Sequence, residues 1–266
     1  MKALVPVLVV GGGVLAILGY GAYRATQPSP KATASHAAIV RDRSDSTTSG
    51  CSAIGGLAGE FLRSGQAGRF STIIGLATGD RRSNDEPVEF ARLSRVHLGS
   101  VKDGRDTADR RNAVIIGELM SRCEEAGNAD RSPIYLALRR ALEELRALGC
   151  RAENGCIVYV QSDLEENAEP ALKAALMGGK AGLLPSKIDN QGIRFRICGA
   201  AETLGPLDGN RGSLGRRKVR GAKRADLAGD VWRSLFTSPE LVSFEPLCPK
   251  APASVGSRTQ TAMADR

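Results

Sequence analysis

Two segments close together in the chain constrain the fold more than any others: SPIYLALRRALEELRALG, Ser132 to Gly149, and CIVYVQSD, Cys156 to Asp163. In the first, Ile134, Leu138, Ala141, Leu142, Leu145 and Leu148 recur at helical spacing, so one stripe must be buried. Ser132 stands in the cap position, Pro133 suits the first turn, and Gly149 ends the helix. The second segment is apolar on both sides of its alternation, as strands covered on both faces are. An amphipathic helix feeding a doubly buried strand is the repeating unit of an α/β fold.

The rest of the chain follows the same rhythm. Short apolar runs at Ala37–Val40, Ser71–Thr78, Ile193–Cys198 and Leu241–Phe244 read as strands, with Phe90–Leu98 as a weaker edge strand. Helices are expected at Ala53–Leu62, Ala113–Glu125, Pro170–Met177 and around Leu227, Val231 and Leu235, where Trp232 and Phe236 read as core residues. Alternating strands and helices predict a three-layer α/β/α open sheet, mostly parallel.

Before this body lies a run of 21 uncharged residues, Ala3 to Tyr23, between Lys2 and Arg24. About 20 apolar residues cross a bilayer as a helix, and this run has no polar face, so one transmembrane anchor is expected over residues 1–24. Residues 25–35, rich in Pro, Ser and small residues, read as a linker. The folded body is then expected over 36–248, with a basic insertion at 203–224 and a disordered tail at 249–266. The six cysteines are even in number, and Cys150 and Cys156 bracket a short turn that a disulfide would close. Cys123, Cys198 and Cys248 read as buried thiols or further partners. That count favours an oxidising, extracytoplasmic compartment, whereas Arg24, Lys31, Arg41 and Arg43 after the apolar run, against Lys2 before it, favour a cytoplasmic body. Two His and the lack of a C-x-x-C pair argue against a thiolate or imidazole zinc site.

The net charge is +8, which would suggest nucleic acid if it were spread over the body. It is not: Arg211, Arg216, Arg217, Lys218, Arg220, Lys223 and Arg224 crowd into one segment without an acid. Such a segment is a solvated loop or contacts an anionic partner, and nucleic acid is disfavoured.

Three predicted loops bring oxygen-bearing side chains to the carboxyl edge of the sheet, where open α/β folds bind ligands. They carry Asp42, Ser44 and Ser46 in a D-x-S-x-S turn, Ser132 before the clearest helix, and Asp163 after the most apolar strand. Read singly, these residues are a capped turn, a helix cap and a turn acid. Read together, carboxylates and hydroxyls form a hard donor set suited to Mg²⁺, Mn²⁺ or Ca²⁺. Glu165 and Glu166 read as solvated neighbours.

DRSDS, RSPIYLALRRALEEL and CIVYVQSDLEEN, in this order and spacing, resemble the von Willebrand factor A domain with its metal-ion-dependent adhesion site. The resemblance covers about Ala37 to Phe244. It implies Asp42, Ser44, Ser46, Ser132 and Asp163 as the ligands of a divalent cation, some acting through water, with Ser132 standing where the family usually has Thr. It further implies a membrane-tethered, cation-dependent binding module, not an enzyme, that captures a carboxylate of a partner protein. Two other readings are open at this stage. One is a Mg²⁺-dependent phosphoester hydrolase with Asp45 as its only base. The other is a scaffold with a degenerate site that binds nucleic acid or anionic lipid through the basic loop.

Overall fold

Strand β1, Ala37–Arg41, is buried at every position and lies at the centre of the sheet. It pairs in parallel with β2, Ser71–Ala77, on one side and with β4, Ile157–Gln161, on the other. Its side chains alternate between two cores, as the twofold period of a strand requires. Ala37 and Ile39 join Ile54, Leu57, Phe61, Leu119 and Tyr159, whereas Ala38 and Val40 join Leu138, Leu142, Val158 and Val160. These coordinates are a computed structural model. It describes residues 35–44, 50–63, 71–79, 85–96, 105–129, 131–166, 168–176, 184–199 and 228–251. The chain divides into two units, Met1–Thr33 and Ala34–Arg266; all described residues belong to the second.

The six strands run in the order β3-β2-β1-β4-β5-β6. β5, Arg194–Cys198, and β6, Val242–Glu245, continue the sheet in parallel beyond β4. β3, Val88–Val96, is the antiparallel edge beside β2. Helices α1, Gly50–Arg63, and α2, Arg105–Glu125, cover one face. α3, Ile134–Ala147, α4, Pro170–Leu176, and a helix α5 at residues 228–234 contribute to the core on the other. The expected α/β sandwich with a mostly parallel sheet is what forms.

Some boundaries differ, each for a local reason. α2 begins at Arg105, well before Ala113; its first turns, RDTADRR, are polar and carry no apolar stripe to mark them in the sequence. α3 starts at Ile134 with Pro133 in the cap position and no side-chain cap bond; Ser132 lies one residue outside, and its hydroxyl is used elsewhere. The body also extends past 249: the Ala251 N–H donates to the Ser52 carbonyl at 3.0 Å. There the Pro249 carbonyl crosses Gly56 so closely that no side chain fits.

Three disulfides are formed. Cys150–Cys156 closes the turn before β4, Cys51–Cys123 ties α1 to α2, and Cys198–Cys248 ties the end of β5 to the chain after β6. The apolar run Ala3–Tyr23, the linker up to Ala34, Ser46, Asp45 and the basic residues Arg211 to Arg224 lie outside the described residues, whereas Ser35 is buried and its hydroxyl donates to the Asn154 carbonyl at 2.7 Å. Among the described residues no helix is long and apolar enough to cross a membrane.

Candidate metal centre

The strand order reverses direction around β1 and β4, so the crevice beyond their carboxyl ends is the topological switch point, where ligands of open α/β sheets bind. Asp42 leaves β1 there and Asp163 follows β4. The two strand ends are joined by the Asp42 N–H, which donates to the Gln161 carbonyl at 2.9 Å. Asp42 is completely buried. Its Oδ1 accepts the Ser132 hydroxyl at 2.6 Å and the Ser44 N–H at 3.0 Å, and its Oδ2 accepts the Ser162 hydroxyl at 2.8 Å. Burial pushes the Asp42 carboxyl above its ordinary range; the three hydrogen bonds oppose the rise, and the negative charge of Asp163 adds to it.

Asp163 is differently placed. Its Oδ1 accepts the Glu165 N–H at 2.9 Å, while its Oδ2 is buried and meets no hydrogen-bond partner. Leaving a buried acceptor unmet costs about 1–3 kcal/mol, more for a charged group. The oxygen therefore sits where a cation would be stabilising. Two carboxylates backed by the hydroxyls of Ser132 and Ser162, without sulfur or imidazole, form a donor set for a hard ion. No three His, Cys, Asp or Glu side chains are grouped for metal binding among the described residues, so the hydroxyls would have to supply the remaining donors. His36 is far from this role: it is buried at the opposite end of β1, where its Nδ1 accepts the Thr72 N–H at 3.1 Å.

Around the carboxylates the chain is held on several sides. Glu166 is buried, not solvated. Its carboxylate accepts the Tyr135 N–H of the first turn of α3 at 2.9 Å, the Ala168 N–H at 2.8 Å and the Glu169 N–H at 3.2 Å. Glu166 thereby docks the Asp163 loop onto the helix that follows Ser132. Burial pushes its carboxyl up to about 7 against those three bonds, with a further upward contribution from the charge of Asp42.

On the other side, Arg41 donates to the Cys123 carbonyl at 2.8 Å, and Arg43 donates to the carbonyls of Gly127 and Asn128, each at 3.1 Å. Both guanidiniums thus meet the carboxyl end of α2, where the helix dipole favours cations. The same Cys123 is bonded to Cys51 of α1, so the end of α2 holds both Arg41 at the end of β1 and the start of α1.

Of the residues singled out in the sequence, Asp42 and Ser132 are in direct contact, and Asp163 is close enough to act on the charge of Asp42. Ser44 is half-buried, with its N–H on Asp42. Ser46 lies outside the described residues. Sequence reasoning missed Ser162, Glu166, Arg41 and Arg43. Ser162 carried a usable signal, since it immediately precedes Asp163; the buried arginines carried none.

No family model matches the chain, and no curated protein matches it. Among solved structures it is similar to the manganese-loaded TRAP protein of Plasmodium vivax, at 12% identity and a TM-score of 0.38, over 81% of this chain and 69% of that one.

Proposed function

We propose that this chain is a divalent-cation-dependent protein-binding module, not an enzyme, tethered to a membrane by its first 24 residues. The observation that carries the reading is the buried, unmet Oδ2 of Asp163 beside Asp42, whose own oxygens are already held by Ser132 and Ser162. Asp42, Ser44, Ser46, Ser132 and Asp163 would hold Mg²⁺, or Mn²⁺ or Ca²⁺, which when bound offers an electron-poor position to a partner's carboxylate. Three of the five donors are neutral hydroxyls, so the ion would keep affinity for an incoming acidic side chain.

Three buried disulfides support a body that folds in an oxidising, extracytoplasmic compartment. The thermal unfolding of the full-length chain in mild detergent tests the cation. A ligand at 100 times its Kd stabilises the native state by about 2.7 kcal/mol, so Mg²⁺ should raise Tm by several degrees. Asp163→Ala should show no such rise. An unshifted wild-type Tm at saturating Mg²⁺ and Mn²⁺ sinks the proposal.

A further inference from the structure

The Asp163 loop is held in an unusual conformation. Leu164, buried at 1% exposure, adopts φ 66°, a left-handed conformation that a bulky side chain takes only when its surroundings impose it. Its N–H donates to the Ser162 hydroxyl at 2.9 Å. Its carbonyl accepts the Glu166 N–H at 3.1 Å and, from 68 residues away, the indole N–H of Trp232 at 3.2 Å. Trp232 is fully buried, lies on α5, and is the chain's one tryptophan.

The geometry points to a role for this indole beyond filling the core. A peptide group is planar, so the Leu164 carbonyl and the Glu165 N–H turn as one unit. Trp232 holds the oxygen end of that unit, and the nitrogen end donates to Asp163 Oδ1. We infer that Trp232 is a positioning residue for the metal centre, fixing through one peptide plane the carboxylate whose other oxygen is left for the cation. The inference rests on the cation reading above and adds to it a specific, remote residue. It also makes α5 part of the site: the helix cannot shift without changing the tilt of the Leu164–Glu165 peptide. Without the indole N–H, the left-handed Leu164 loses one of the contacts that hold it, and Asp163 Oδ1 loses its fixed donor.

The test uses the full-length chain with metal ions alone. Mg²⁺ does not itself quench indole emission, so saturating Mg²⁺ should shift or rescale the wild-type fluorescence with the same midpoint as binding. Trp232→Phe keeps an aromatic ring and deletes the donor; Mn²⁺ titrated by calorimetry should bind it about tenfold more weakly, the scale of one lost hydrogen bond. Phe236→Leu, a core change that leaves the Leu164 carbonyl bonded, should lower Tm and keep the wild-type affinity. Wild-type affinity in Trp232→Phe overturns the inference whatever the emission does. If that variant does not fold, unchanged wild-type emission at saturating Mg²⁺ overturns it instead. A wild-type chain that binds no Mn²⁺ is a different result, and removes the cation reading together with this one.

Discussion

Glu166 gives the fold a pH dependence whose sign and size follow from its position. Its carboxyl, ordinarily near 4.5, is pushed up to about 7, first by burial and then by the charge of Asp42, against three backbone N–H bonds. In the cation-free protein the folded state therefore keeps a proton between pH 4.5 and 7 that the unfolded chain has released. Stability contributed by this group is fully present below the unfolded value and is lost as pH rises through the folded one. The difference between the two values corresponds to about 3 kcal/mol, an upper figure because loop relaxation and entering water would reduce it. Other groups act over the same range: burial lowers the pKa of His36, which makes wild-type stability fall below its ordinary 6.5. The Glu166 share is isolated by comparison with Glu166→Gln, measured by urea unfolding with a chelator from pH 4.5 to 7.5. The variant loses stability outright, since its amide nitrogen faces backbone N–H groups where a carboxylate oxygen accepted. Its deficit should then shrink by about 2–3 kcal/mol as pH rises. Parallel wild-type and variant curves would refute the burial argument for Glu166.

Two further outcomes test the scaffold around the site. Arg43→Ala removes the donor to the Gly127 and Asn128 carbonyls, and should cost about 2 kcal/mol by chemical denaturation; a loss under 0.5 would mean that water replaces the guanidinium. Cys198→Ser with Cys248→Ser opens a cross-link of 50 residues, worth about 4 kcal/mol in chain entropy; an unchanged midpoint would show that the native body does not depend on it.

The fold was legible wherever burial leaves a period. The apolar stripe of α3 and the doubly apolar β4 named themselves, and the order of runs implied the layers. α2 was visible only from Ala113, because the polar turns from Arg105 carry no apolar stripe and Asp109, Arg110 and Arg111 are exposed. Ser132 was readable as a hydroxyl before a helix, yet the helix begins one residue later than a cap reading requires, since Asp42 takes the hydroxyl instead. Glu166 looked like a solvated acid because sequence proximity says nothing about the helix end it meets across the fold. Arg41 and Arg43 were invisible for the same reason: apart from the Asn128 Oδ1 that Arg41 meets at 3.0 Å, the partners named are backbone carbonyls, which every residue has. Trp232 was rightly a core residue, but its N–H partner lies 68 residues away, and no local pattern marks such a pair.

The central claim is that Asp42 and Asp163 form one cation site. Electron paramagnetic resonance of Mn²⁺ titrated into the full-length chain counts bound ions directly. The account predicts one bound Mn²⁺ per wild-type chain, displaced by Mg²⁺, and none in Asp163→Ala at the same concentrations. Equal binding by the wild type and Asp163→Ala, or no binding by either, would contradict it.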